Sequence, residues 1–351
     1  MSNDGDDMKA MVMEAVGKPM VVKDWPEPKC PVDGAIVRVE ASGICRSDWH
    51  LWQGDWGWIG FKPRLPAVLG HEFAGVIEEV GNEVKNLKPG TRVVVPLAQG
   101  CGRCEDCRTG HSNHCLGPGM GGYGRYGVLS HADFNCAPLP DKIDFVEASS
   151  MGCRYVTAFH GIVDQGHVQA DETVVVYGCG GVGLSAIQIA TALGARVIAV
   201  DLDDRKLELA RNAGATDVVN GKKTDPVKAV LDLTHGGAQV SVDALGIAAT
   251  CRNAIASLRK RGRHIQIGLT TQGEKGEVAL PIDQIVFKEI QLIGSLAIQS
   301  FRYPSILNMV ERGRLEPHKL ISETIPLERA FGVLEQMSNF ENAGISVINQ
   351  F

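Results

Sequence analysis

The chain has 351 residues, 44% of them hydrophobic and 22% charged, with a formal net charge of −6. Such a length supports two ordinary domains, the composition is that of a soluble globular protein, and the mild acidity gives no reason to expect nucleic acid or an acidic membrane as partner. No apolar run reaches the length of a membrane span, and ten cysteines are few for a disulfide scaffold of this size, so a cytoplasmic metal protein is the better reading.

Taken in order, the polar and acidic stretch Met1–Asp7 is expected to be a frayed tail and not a signal peptide. From Met8 to about Glu79 the signals are mostly strand-like, with alternation in Ala35-Ile-Val-Arg-Val-Glu40 and a further strand signal in Gly75-Val-Ile-Glu-Glu-Val80. Between these lies Ser42–Gly75, which carries Cys45 and, after a long excursion, His71. Ser47, His50 and four of the five tryptophans fall between the two. Thiolate plus imidazole is the ligand mix that zinc prefers, and an open zinc beside a hydroxyl and a histidine is equipped to move protons. Alone the pair is weak evidence, because a single buried cysteine or histidine is more often packing.

Thr91–Val95 is a further short strand. Then Cys101, Cys104, Cys107 and Cys115 follow the spacing C-x2-C-x2-C-x7-C, which lets four thiolates converge from one loop with little apolar content. A ferredoxin-type iron–sulfur run begins alike, but its last gap is three residues and a proline follows; here the gap is seven and Leu116 follows. Structural zinc is the favoured reading, with iron–sulfur or disulfides as alternatives. Glu147–His160 has helical character and carries Cys153, a possible third ligand for the Cys45/His71 site. Cys30, Cys136, Cys179 and Cys251 read as packing.

At Thr173 the pattern becomes α/β. The apolar strand Thr173–Tyr177 runs into Gly178-Cys-Gly180-Gly181-Val182-Gly183 and a helix, and a second strand ends at Asp201, 18 residues after Gly183. This is the dinucleotide fingerprint, in which glycines let a pyrophosphate approach backbone N–H groups at a helix N-terminus. An acid at position 201 binds the adenine-ribose hydroxyls and repels a 2′-phosphate, which points to NAD and not NADP. Alternating elements continue through a helix expected over Ala248–Lys260 to strands His264–Gly268 and Ile290–Ile293, six strands in all. The segment from Ser295 carries two helices (Tyr303–Arg312 and Leu327–Met337) and a strand, too little for a domain, and is expected to fold back onto the first one.

Four motifs in order (C-R-S-D-W-H, G-H-E, the four-cysteine run and G-x-G-G-V-G) together resemble the zinc-dependent medium-chain dehydrogenase/reductase family, specifically its alcohol dehydrogenases of the yeast-type and bacterial branch. The resemblance implies an α/β protein with a β-rich, GroES-like catalytic domain over residues 1–157 and 295–351, including a zinc lobe at about 96–116. Residues 158–294 would be an inserted doubly wound (Rossmann) NAD-binding domain. It further implies Cys45, His71 and Cys153 as catalytic zinc ligands, with Glu72 beside the metal and Asp48 behind His71. The lobe cysteines would hold a structural zinc, so two zinc ions per chain are expected. Ser47 would pass the alcohol proton through the nicotinamide ribose to His50. Arg46 would reach the pyrophosphate, Thr157 and Val182 would pack on the nicotinamide, and Lys206 would sit near Asp201. The implied reaction is reversible hydride transfer between an alcohol and NAD in a cytoplasmic homodimer or homotetramer. A polyol or amino-alcohol dehydrogenase of the same family is the main alternative, which Cys153 disfavours because those relatives usually carry an acid there; a non-catalytic nucleotide-binding relative is another. Trp52-Gln-Gly-Asp-Trp56 is similar to the branch's W-x-G-D-W stretch and suggests Trp52 and Trp56 as pocket walls. The chain departs from that pattern in a longer excursion adding Trp58 and Phe61, and in Arg154 where a small residue is expected.

Overall fold

The computed structural model describes residues 7–60, 62–115 and 119–351; the tail before Asp7, Phe61 of the tryptophan-rich excursion and Leu116 lie outside these. The chain forms two units. One comprises the described residues up to Val156 with Ala297–Gly313 and Ile321–Phe351; the other comprises Thr157–Leu296 with Arg314–Leu320.

In the first unit the alternating run grows into the strand Ala35–Gly43, which pairs antiparallel with Glu72–Val80 from Ala35↔Val80 to Gly43↔Glu72. Its inward residues Val37 and Val39 pack with Phe73, Ile77, Val93 and Leu129, all essentially buried, each worth ~1.5–3 kcal/mol relative to exposure. The register matters beyond stability. Pairing Gly43 with Glu72 draws the chain just before Cys45 alongside the chain just after His71. These strands sit inside a seven-stranded sheet in which Ile345–Gln350 joins Ala35–Gly43 antiparallel and Ile321–Pro326 parallel. A second, three-stranded sheet has Asp7–Met13 between Val21–Pro26 and Ala67–Val68. Within the stretch expected to be mostly strand lies an eight-residue helix, Arg46–Gln53, closed by Gly54 at φ 71°. Its shortness hid its period beside the stronger strand signals.

The helix expected over Glu147–His160 is not uniform. Phe145–Ser150 is α-helical, with Asp144 accepting the Glu147 N–H at 2.8 Å as N-cap. Met151–Tyr155 is a π-helical turn, Val156–Phe159 is α-helical, and His160–Gln165 is π-helical again. Such turns insert a residue into the helical ladder and re-aim side chains.

The second unit holds six parallel strands in the order Asp217–Asn220, Arg196–Asp201, Thr173–Tyr177, Ala238–Asp243, Leu258–Gln266, Gln291–Gly294. Val174, Val175 and Val176 are fully buried, as a strand covered on both faces requires. The helix expected over Ala248–Lys260 ends at Ala256. Leu258 begins the next strand instead, because pairing with Ala238 overrides the helix propensity of the Arg-Lys-Arg run. A helix over Ile282–Lys288 and the strand Ile321–Pro326 carry no strong sequence signal. The segment from Ser295 does not return as one piece. Arg314–Leu320 stays with the second unit, where the Gln188 side chain donates to the Glu316 carbonyl and accepts its N–H, both at 3.0 Å.

Candidate active site

The register and the π-helical turn converge on one cluster. Ligand atoms of Cys45, His71, Glu72 and Cys153 all lie within 4.8 Å of one another, and all four residues are buried. Cys45 sits in extended backbone at the entrance of helix Arg46–Gln53, His71 precedes strand Glu72–Val80, and Cys153 is the middle residue of the turn Met151–Tyr155. The sulfurs of Cys45 and Cys153 are 4.0 Å apart. The Cys153 thiol, with help from His71 and against burial, pulls the Cys45 thiol well below its ordinary value, toward the thiolate that binds metals. The Nε2 atom of His71 is buried without a hydrogen-bond partner, a costly arrangement for a polar atom unless something binds there. Two thiols and one unpartnered imidazole nitrogen fit a zinc ion with an open fourth position.

His71 is fixed from behind. Asp48, fully buried on the helix, accepts its Nδ1 at 3.0 Å and the Gly70 N–H at 3.1 Å through Oδ1, and the Tyr123 hydroxyl at 2.8 Å through Oδ2. Burial opposes the charge, but Asp48 and Cys45 together hold the proton affinity of His71 well above its ordinary value. A metal-bound histidine needs this partner to present its other nitrogen. Tyr123, 75 residues from Asp48, carries no signal in the sequence.

Glu72 points to Arg154. Its Oε1 accepts the Arg154 backbone N–H at 2.9 Å and Nε at 3.0 Å, and its Oε2 pairs with Nη2. Burial pushes the carboxyl up, to about 7, while Arg154 pulls it down. Burial likewise disfavours the guanidinium, yet Glu72 more than offsets it and raises its proton affinity. Three N–H donors aimed at two oxygens call for the carboxylate, so the pair is ionic. The surrounding backbone is bare: a Cβ on Gly43 would overlap Glu72 Oε2 and stand 2.9 Å from Arg154 Nη2, and one on Gly152 would stand 2.6 Å from the Glu72 Cα.

Ser47 Oγ is 3.7 Å from Cys45 Sγ. His50, one turn on, is 5% exposed; its Nδ1 pairs with Asp55 at 2.7 Å and its ring stacks on Trp56, centroids 5.4 Å apart. Asp55 has no strong signal of its own in the sequence, although Gly54-Asp55 after a short helix marks a turn back toward His50. Burial lowers the His50 proton affinity, with Asp55 opposing and Arg46 reinforcing it. The Arg46 guanidinium lies between the rings of Trp49 and Phe340, at 4.3 and 4.1 Å, and donates to the Met337 carbonyl at 2.7 Å. Trp52 is 5% exposed, donates to the Lys18 carbonyl at 2.6 Å and packs edge-on to Phe331. Trp58 is 44% exposed.

The other four cysteines, Cys101, Cys104, Cys107 and Cys115, form a separate tetrad. Backbone N–H groups point at the sulfurs: Cys104 to Cys101 at 3.4 Å, Cys107 to Cys104 at 3.5 Å, Cys101 to Cys115 at 3.3 Å. The N–H groups of Arg103 and Cys104 push the Cys101 thiol down to about 6. Asn135 braces the loop through both its amide atoms, accepting the Gly100 N–H and donating to the Gly100 carbonyl, each at 2.8 Å. Four sulfurs satisfy a tetrahedral ion and leave no place for substrate.

In the second unit Gly180 stands at the N-terminus of helix Gly181–Ala192, with no side chain capping it. A Cβ on Gly183 would overlap the Gly178 carbonyl, so the helix meets the strand only with glycine there. Asp201 ends the second strand and accepts the Cys179 N–H at 2.7 Å, tying the acid to the glycine turn. Val182 is half-buried, and Lys206 and Thr157 are buried. The arrangement fits a dinucleotide phosphate at the helix terminus.

Residues 32–141 match the alcohol dehydrogenase GroES-like domain, and residues 181–312 match the zinc-binding dehydrogenase family. An alcohol dehydrogenase of Geobacillus stearothermophilus is 36% identical, over 94% of this chain and 96% of that one. An NAD-dependent alcohol dehydrogenase of Sulfurisphaera tokodaii is 33% identical, over 97% and 99%. The solved structure of the alcohol dehydrogenase TADH from Thermus sp. ATN1 superposes with a TM-score of 0.87 at 31% identity, covering 98% of this chain and all of that one. With two clusters of potential metal ligands and the glycine turn in place, the chain belongs to the zinc-dependent alcohol dehydrogenase family of medium-chain dehydrogenases/reductases.

Proposed function

We propose that this protein catalyses reversible hydride transfer between a primary or secondary alcohol and NAD, giving an aldehyde or ketone. The observation that carries the reading is the buried Cys45, His71 and Cys153 set, with its ligand atoms within 4.8 Å of one another and His71 Nε2 unpartnered. Cys45, His71 and Cys153 would hold a zinc that supplies Lewis acidity toward the alcohol oxygen, and NAD would supply the capacity to take up hydride. Ser47 Oγ, close to Cys45, would take the alcohol proton and His50 would pass it on to solvent, with Asp55 fixing the His50 ring. Asp48 keeps the His71 Nδ1 proton in place. Arg46 serves the pyrophosphate, Thr157 and Val182 the nicotinamide, and Asp201 with Lys206 the adenine ribose. Trp56, stacked on His50, is the better candidate for a pocket wall than Trp52, which packs on Phe331 and bonds Lys18. The Cys101–Cys115 tetrad holds a second, structural zinc. The ten free cysteines support a cytoplasmic setting, and no helix among the described residues is long and apolar enough to cross a membrane. The edge strand Gln291–Gly294, with its exposed Leu292 and the exposed Ile282, Val286 and Phe287 of the preceding helix Ile282–Lys288, supports self-association through a second copy.

The test is NADH formation across linear, branched, benzylic and cyclic alcohols, with NADP in parallel. Cys45→Ser is expected to abolish turnover while NAD still binds. Full activity in that variant overturns the proposal, and a strong preference for polyols favours the other branch of the family.

A further inference from the structure

Both partners of the Glu72–Arg154 pair are sequence neighbours of metal-ligating residues: Glu72 follows His71, and Arg154 follows Cys153. The Glu72 carboxylate lies within 4.8 Å of both sulfurs and of the His71 nitrogen, close enough to be a fourth ligand. It is fully buried, so its charge must be neutralised by something within reach. Two cations qualify: a metal among the cysteines, and the guanidinium that already supplies three N–H donors with the backbone of Arg154.

We infer that Arg154 is a positioning residue that holds Glu72 off the metal and so keeps the fourth coordination place open; the inference rests on the zinc reading above. The charge count supports it. Two thiolates, a neutral imidazole and a divalent ion sum to zero, and a carboxylate ligand would make the centre negative. A carboxylate saturated by charge-assisted hydrogen bonds is also a poor Lewis base. The fork fits here because Gly43 leaves room for it: a Cβ there would overlap Glu72 Oε2 and stand 2.9 Å from Arg154 Nη2. Once Arg154 is shortened, the metal is the remaining cation within reach, and Glu72 closes the site.

The test uses the full chain with cobalt(II) in place of zinc and imidazole as an added probe ligand, read in the ligand-field spectrum. Cobalt in the four-cysteine lobe contributes a constant background, since that site has no open place. In the parent, imidazole should shift the spectrum. In Arg154→Gln the apparent dissociation constant for imidazole should rise at least about 10-fold, equivalent to about 1.4 kcal/mol. In the double variant Glu72→Gln/Arg154→Gln, which lacks the competing carboxylate, it should return to within about 3-fold of the parent. An unchanged constant in Arg154→Gln, or no recovery in the double variant, overturns the inference. Should Arg154→Gln fail to fold, Arg154→Lys keeps the charge but lacks the planar fork; it should raise the constant at least about 3-fold, and no rise overturns the inference. A parent that shows no thiolate-to-cobalt absorption beyond that of a Cys45→Ser/Cys153→Ser control overturns the zinc reading instead, so the two failures are distinguishable.

Discussion

The buried carboxylate behind His71 offers a quantitative test of how the first unit is held. Tyr123→Phe deletes one hydroxyl, fully buried, that donates to Asp48 Oδ2 at 2.8 Å. Asp48 keeps the Gly70 N–H and the His71 ring, both on Oδ1. Losing one hydrogen bond to a buried charge should therefore cost ~1.5–3 kcal/mol of stability, read as a lower urea midpoint at unchanged slope. Because His71 retains its partner, zinc affinity measured by chelator competition should stay within about 10-fold of the parent. Asp48→Asn changes the balance. The amide can still accept from His71, but it brings no charge, so zinc affinity should fall ~10–100-fold. The reasoning is refuted if Tyr123→Phe stays within about 0.5 kcal/mol of the parent, or if Asp48→Asn holds zinc as tightly as the parent does.

Other perturbations address separate parts. Cys104→Ser should lower metal content from about two zinc ions per chain to about one by elemental analysis, and should reduce thermal stability while leaving the Cys45 site loaded. Asp55→Asn removes the charge that raises the His50 proton affinity against burial and Arg46, so that affinity falls further. Since His50 accepts a proton only when neutral, the acid limb of the pH profile for alcohol oxidation should move to lower pH. The plateau should fall by at most about 100-fold; an unmoved acid limb argues against His50 as the acceptor. Phe287→Lys with Leu292→Lys places charges on the exposed face beside the edge strand and should shift the light-scattering mass toward a single chain.

Local chemistry was the legible part of the sequence. The four-cysteine spacing and the glycine turn followed by Asp201 need only neighbours in the chain, and the parallel sheet followed from short apolar strands alternating with helices. Long-range partners were not legible. Nothing near Tyr123 or Phe340 marks them as contacts of Asp48 and Arg46, because those contacts arise only when the strand register and the helix Arg46–Gln53 are set. The π-helical turn around Cys153 was hidden for another reason. An extra residue in a helical ladder leaves the apolar period nearly intact, so Glu147–His160 reads as one helix although Cys153 sits in a π-helical turn. Trp52 was ambiguous in principle, since a pocket wall and a core residue have the same composition and only its bond to Lys18 tells them apart.

The bare backbone at Gly43 has an evolutionary consequence. Positions 43, 72 and 154 belong to three separate stretches of chain, yet steric exclusion makes their identities depend on one another. A side chain at 43 is admissible only after the Arg154 fork has been withdrawn and Glu72 has turned away, so the order of substitutions matters. Starting from this chain, Gly43→Ala before Arg154→Ala should be far more damaging than the reverse order. A lineage that has acquired the arginine is thereby locked into glycine at 43, and this interdependence should be measurable as strong epistasis between positions 43 and 154.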